Sequence, residues 1–124
     1  MEKLFKLKEH GTDPRTEVIA GFTTFLSMVY ILAVNPNILS AAGMDRAGIF
    51  TATAVSAAFA TLCMAFFANY PVALASGMGL NAYFAYSVCI PMAEAGIKNP
   101  WTIALAAVLV EGIAFILLSL TNFR

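Results

Sequence analysis

The sequence predicts an all-α membrane protein with four transmembrane segments, and three observations lead to this fold class. Hydrophobic residues make up 60% of the 124-residue chain, charged residues make up only 11%, and the mean hydropathy is +0.82. Soluble domains are about half apolar and about a quarter charged. Four apolar stretches each approach the roughly 20 residues that a helix needs to cross a bilayer. The third stretch is interrupted by glycine, so we expect it to be discontinuous.

Composition also excludes several functions. Seven basic and seven acidic residues give a net charge of zero, without the basic patch that nucleic-acid binding requires. Cys63 and Cys89 lie in apolar stretches without metal-ligand spacing, and His10 is the single histidine. We therefore expect no metal site, no disulfide framework, no cofactor and no enzymatic activity.

The first two predicted spans cover residues 18–39 and 49–68. The first contains no charged residue, and Asn35-Pro36 is predicted to mark its end because proline lacks a backbone donor and disfavours a helical residue before it. The second carries small residues at four-residue spacing, which favours the close approach of another helix. These residues are Ala52, Ser56 and Ala60.

The other two predicted spans cover residues 72–92 and 101–120. Asn69-Tyr70-Pro71 ends the second span abruptly, so the turn into the third is expected to be tight. The fourth span follows a polar loop and begins with the single tryptophan of the chain, a residue typical of the membrane interface.

Basic residues predict the orientation of the chain. Residues 1–17 form a polar N-terminal segment with four Lys or Arg residues, and Arg124 lies on the same side, against Arg46 and Lys98 on the other. By the positive-inside rule the N-terminus is cytoplasmic. The first span is expected to be retained, since it is too long for a signal-peptide core.

The glycine-interrupted run is the candidate substrate site. Glycine lets the backbone leave the helical region, and a helix that restarts near Leu80 would direct its free amides at the break. In lipid, such backbone persists only where protein buries it or where it lines a cavity, and transporters hold polar substrates in this way. The alternative is that the glycines only allow close helix packing. The candidate residues are Ala75, Ser76, Gly77, Met78, Gly79, Leu80 and Asn81.

The same run matches a dinucleotide-binding fingerprint, Gly77-x-Gly79-x-x-Ala82. This fingerprint needs a preceding strand and an acidic residue about 20 positions further on, within a soluble unit. The flanks here are membrane spans, and the nearest acidic residue, Glu94, lies in a predicted loop. We therefore reject the match.

Two further features of the spans could serve a substrate or a proton. Thr24 and Ser27 are candidate substrate contacts in the first span, although hydroxyls in membrane helices mostly bond to their own backbone or to a neighbouring helix. Glu111 lies halfway along the fourth span, where a carboxylate costs about 2.5–3.5 kcal/mol. It is a candidate for proton coupling; the alternative is a hydrogen bond that locks the helix bundle.

Several motifs carry a resemblance to a known family. They are Glu17-Val-Ile-Ala-Gly-Phe-Thr-Thr-Phe, Met28-Val-Tyr-Ile with Val34-Asn-Pro, Gly77-Met-Gly-Leu-Asn-Ala-Tyr-Phe, and Glu111-Gly with Leu120-Thr-Asn. Together they resemble the N-terminal part of bacterial guanine/hypoxanthine/adenine permeases, a branch of the nucleobase-cation symporter (xanthine/uracil permease-like) family.

This resemblance implies fourteen spans in two inverted repeats, divided into a core domain and a gate domain. Residues 18–124 would supply the first four spans of the core, the third of them pairing a short extended stretch with a half-helix. A purine nucleobase would bind between residues 75–81 and the matching broken span of the second repeat. The implied function is proton-coupled purine uptake across the plasma or inner membrane, with the remaining spans and the lipid bilayer as partners and a homodimer as one candidate assembly.

Because the second repeat lies outside the 124 residues, we expect this fragment alone not to transport. Two other classes compete with the permease. One is a small four-span exporter that acts as a dimer, but such exporters resemble one another in placing a carboxylate in the first span, where this chain has none. The other is a non-transporting membrane scaffold subunit, which would use the stripe of small residues but would not require the glycine break.

Overall fold

The computed structural model describes residues 11–121, and within this range it contains helices and no β-strand. The predicted N-terminal segment 1–17 therefore lies mostly outside the described residues, as does Arg124. The helices are α1 Pro14–Met28, α2 Ile31–Ser40, α3 Arg46–Cys63, α4 Met78–Ala82, α5 Ile90–Glu94 and α6 Pro100–Leu120. A π-helical turn, Met64–Ala68, continues α3, and a second, Tyr83–Cys89, joins α4 to α5.

The first helix, α1, begins at an aspartate cap. The Asp13 carboxylate accepts hydrogen bonds from the Arg15 amide at 3.2 Å and from the Thr16 hydroxyl, and Pro14 occupies the first helical position. The hydrogen bond from Thr16 lowers the pKa of Asp13 below its ordinary value. No residue of α1 is buried in the described structure, so lipid or other protein segments can cover its whole surface.

Together, α1 and α2 form one interrupted span of 27 residues. Between them the Ala33 amide bonds to the Tyr30 carbonyl at 3.0 Å, which is the three-residue spacing of a 3₁₀ turn. The span ends at Ser40, next to the predicted bound at residue 39, but Asn35-Pro36 does not end the helix as the sequence pattern predicts, because both residues lie within α2. Both members of that pair are buried, and their packing outweighs the local preference of proline.

The second span is α3 with its π-helical extension. The connection from α2 includes Gly43, whose φ of 83° is in the left-handed region, and Asp45 caps α3 by accepting the Gly48 amide at 2.6 Å. The extension ends at Ala68, and Asn69 then adopts a left-handed conformation with φ of 53°. This residue turns the chain sharply out of the helix.

The third segment is interrupted. Residues 69–77 form neither helix nor strand, and Gly77, with φ −78° and ψ 120°, is extended. Helical structure starts at Met78 and continues to Glu94 through the π-helical turn. Three helices in the described range are long and apolar enough to cross a membrane, and the third segment is not among them because of this late start. Those helices are Pro14–Ser40, Arg46–Ala68 and Pro100–Leu120.

A small core of short side chains holds the elements together. It consists of Ala42, Ala85, Cys89 and Ala104, with Trp101 among the partly buried residues packed against it. Helix α2 packs against α3, α4 and the second π-helical turn, and that turn also contacts α6. From residue 105 to residue 120, α6 is exposed in the described structure. Most of its apolar surface is therefore available to lipid or to further protein segments.

Candidate functional site

The interruption in the first span and the interruption before α4 meet at one cavity of about 240 Å³. The first span contributes its turn at Val29 and Tyr30, where the backbone stays in the right-handed helical region, and the third segment contributes non-helical backbone. Non-helical backbone at membrane depth is stable where it lines a cavity or is buried in protein. The lining residues are Met28, Tyr30 and Ile31 from the first span, and Ala75, Ser76, Gly77 and Met78 from the third segment.

A buried polar network joins α2, α3 and α4 beside this cavity. Asn35, which is 3% exposed, donates from Nδ2 to the Thr53 hydroxyl at 2.7 Å. Asn81, one turn into α4, donates from Nδ2 to Oδ1 of Asn35. Asn35 therefore uses both ends of its amide, and it fixes the first turn of α4 relative to two other helices.

The predicted site residues of the third segment divide into three groups. Ala75, Ser76, Gly77 and Met78 line the cavity, whereas Asn81 belongs to the polar network. Gly79 and Leu80 lie on α4 but do not line the cavity, and the Leu80 side chain is 76% exposed. The structure thus brings the non-helical part of the predicted site and the first residue of α4 to the cavity.

Neither glycine of the run is required by contacts within the described residues. A Cβ atom built on Gly77 or Gly79 meets no atom within 4 Å. The dihedral angles of Gly77 are open to any residue. Close helix packing within residues 11–121 therefore does not explain these glycines, and the free space beside Gly77 is at the cavity.

The two hydroxyl candidates of the first span bond to their own helix. Thr24 donates to the Ala20 carbonyl at 3.0 Å, and Ser27 donates to the Thr23 carbonyl at 2.9 Å. Neither side chain lines the cavity. Contact of Thr24 or Ser27 with a substrate stays a prediction.

Glu111 lies in the exposed part of α6, and the structure does not bring it to the cavity. Its neighbour Gly112 also faces open space, since an added Cβ atom meets nothing within 4 Å. Among the described residues there is also no group of three or more His, Cys, Asp or Glu side chains that could hold a metal ion.

About half of the cavity residues and most of the polar network are not predicted from the sequence. The sequence pattern predicts that a helix ends at Asn35, and the only signal at Thr53 is that it is a polar residue within an apolar span. Tyr30 belongs to a stretch without glycine, and the only local sign of an interruption there is Pro36 downstream. A search for pairs of polar residues within predicted spans could have identified Asn35 and Thr53, but not their partnership.

These features define a multi-pass helical membrane protein in which an interrupted segment lines a small cavity, an arrangement typical of secondary transporters. The family model Xan_ur_permease, described as Permease family, matches residues 15–124. The chain therefore belongs to this permease family, as its motifs indicated.

The names of two similar proteins agree with this family assignment. An adenine permease of Escherichia coli is 52% identical over the whole chain, and a guanine/hypoxanthine permease of Bacillus subtilis is 49% identical over 98% of it. The chain spans about 27% of the length of each of these two relatives. No solved structure matches the chain significantly.

Proposed function

We propose that this chain takes part in the transport of purine nucleobases across a membrane and that the 240 Å³ cavity is its share of the nucleobase site. The observation that carries the proposal is the meeting of two interrupted segments at one cavity, with the non-helical residues 75–77 on one side. The names of the relatives, an adenine permease and a guanine/hypoxanthine permease, support purines as the substrate class.

The chemistry of the lining suits a planar purine. Non-helical backbone has N–H groups that can pair with ring nitrogen and carbonyl acceptors, and Tyr30, which lines the cavity, is an aromatic residue that could stack on a purine. Complete small-molecule pockets measure roughly 300–1,000 Å³, so the cavity is somewhat smaller than a whole site. We propose that a matching broken span of a second inverted repeat supplies the rest, and that residues 18–124 form four spans of the core domain.

Energy coupling is assigned to protons in this proposal, with Glu111 as the candidate coupling residue. A carboxylate halfway along a membrane span is costly unless it is protonated, paired or hydrated, which makes it suitable for reversible protonation. The distribution of Lys and Arg supports a cytoplasmic N-terminus, and we place the chain in the plasma or inner membrane.

A chimera tests the proposed function. Residues 1–124 replace the matching 27% of the Escherichia coli adenine permease, and the chimera is expressed in cells that lack purine uptake. We expect saturable uptake of labelled adenine that unlabelled purines inhibit and uracil does not. The 124-residue chain alone is expected to give none.

The uptake assay also separates the permease from the two competing classes. A small four-span exporter would lower the cellular content of labelled purine, whereas a membrane scaffold subunit would leave it unchanged. The proposal is refuted if the chimera reaches the membrane in an amount equal to the parent permease and yet takes up no purine. Purine uptake by the 124-residue chain alone would contradict the expectation that further spans are needed.

A further inference from the structure

Thr61 makes an unusual pair of contacts with the extended stretch. Its hydroxyl accepts a hydrogen bond from the Leu74 amide at 3.0 Å and donates toward the Leu74 carbonyl at 3.4 Å. One side chain of α3 thus pairs both backbone groups of one residue in the stretch 69–77. Hydroxyls in membrane helices more often bond to the carbonyl one turn earlier, as Thr51 does with Ala47 at 3.0 Å.

This contact matters because the stretch 69–77 has no helix or strand to satisfy its backbone. Backbone N–H and C=O groups away from water need partners, and in lipid an unsatisfied group is especially costly. Leu74 directly precedes Ala75, the first cavity residue of this segment. A partner for Leu74 therefore fixes where the cavity wall begins.

Thr61 and the polar network act at opposite ends of the cavity residues 75–78. Thr53 holds the first turn of α4 through Asn35, whereas Thr61 holds the stretch before it. The two threonines lie about two turns apart on α3, which corresponds to about 12 Å along its axis. Residues 75–78 thus lie between an attachment to α3 at Leu74 and an attachment at Asn81 to α2, which is in turn bonded to α3.

We propose that Thr61 is a positioning residue for the nucleobase site: its hydroxyl holds the extended stretch so that the backbone of residues 75–77 faces the substrate. The inference rests on the proposed function. It assigns Thr61 no contact with the substrate itself.

Three variants of the chimera described above test this role by adenine uptake. Thr61→Val keeps the shape of the side chain but removes the hydroxyl, Thr61→Ser keeps the hydroxyl, and Thr51→Val removes a hydroxyl that bonds only within its own helix. We expect Thr61→Val to raise the KM about two- to tenfold, the effect of losing one hydrogen bond. Thr61→Ser and Thr51→Val should keep the parent KM.

Hydrogen exchange provides a second readout on the purified chimera in detergent. The peptide that contains Leu74 should exchange faster in Thr61→Val than in the unsubstituted chimera, and Thr61→Ser should restore slow exchange. If Thr61→Val does not insert into the membrane, Thr61→Ala is compared with Thr61→Ser instead.

The outcomes distinguish the two proposals. If the unsubstituted chimera does not transport, the proposed function fails, while the exchange measurement still decides whether Thr61 holds Leu74. If the chimera transports and Thr61→Val matches Thr51→Val in KM, the positioning role is overturned. Faster exchange at Leu74 with an unchanged KM overturns it as well, because the contact would then order the stretch without affecting the site.

Discussion

Replacing Gly77 by alanine separates the substrate site from the stability of the fold. The φ of −78° and ψ of 120° at Gly77 are open to alanine, and the added Cβ atom meets nothing within 4 Å. Gly→Ala at a compatible position stabilises a protein by about 0.4–1 kcal/mol, while alanine is disfavoured at a helix cap by a similar amount. The net change in the free energy of unfolding should therefore stay within about 1 kcal/mol.

The same methyl group occupies space at the proposed nucleobase cavity. One additional carbon in a binding pocket changes discrimination by about 1–3 kcal/mol, which is 10- to 200-fold. We therefore expect Gly77→Ala in the chimera to raise the KM for adenine about 10- to 200-fold, with the melting temperature and the amount in the membrane unchanged.

Gly21→Ala is the matched control for this prediction. Gly21 lies within α1, and its added Cβ atom also meets nothing within 4 Å, but the residue does not line the cavity. It should gain up to about 1 kcal/mol of helix stability and keep the parent KM. A Gly77→Ala chimera with the parent KM would show that the space beside Gly77 is not a substrate site, and one that unfolds would contradict the predicted stability.

Three further predictions concern the polar network, the intramembrane carboxylate and the cap of α1. Asn35→Ala removes two hydrogen bonds and should lower the free energy of unfolding by about 1–3 kcal/mol, which circular dichroism would detect as a lower melting temperature. Thr53→Val removes one hydrogen bond and should lower the free energy of unfolding by less. Equal losses in the two variants would contradict the network. In the chimera, Glu111→Gln should abolish the dependence of purine uptake on the proton gradient. Undiminished proton-driven uptake would refute the coupling role of Glu111. Because the folded-state pKa of Asp13 is lowered, its cap stabilises α1 above about pH 3.8 and loses this effect as the pH falls through the folded value. The protection of amides at the start of α1, measured relative to their intrinsic exchange rate at each pH, should fall there, and should not fall in Asp13→Asn.

Local chemistry explains why the interruption of the third segment could be predicted. Asn69-Tyr70-Pro71 and two nearby glycines are strong signals against a continuous helix, and the helix does restart only at Met78. The fourth span could be predicted from length and composition alone, because a long uninterrupted apolar run is typical of a membrane helix. In the structure, α6 extends from Pro100 to Leu120.

Tertiary contacts explain what could not be predicted. Asn35-Pro36 carries a local signal for the end of a helix, yet Asn35 is bonded on both sides and Pro36 is buried, so the helix continues. The partners Thr53 and Asn81 lie 18 and 46 positions from Asn35, and no local pattern indicates that they meet. Half of the cavity was missed for the same reason, since the turn at Tyr30 lacks any residue with turn chemistry.

Polar contacts have a particular importance in positioning this site because apolar ones are few and weakly directional. The buried apolar residues of the described structure are small in number, and lipid tails solvate an apolar helix face about as well as another helix does. Hydrogen bonds with fixed geometry therefore determine where the interrupted segment lies. Two threonines of α3 supply them, Thr53 through Asn35 and Thr61 directly. Because α2 carries both Asn35 and the cavity residue Ile31, a displacement of α2 would move the cavity wall and the attachment of α4 together.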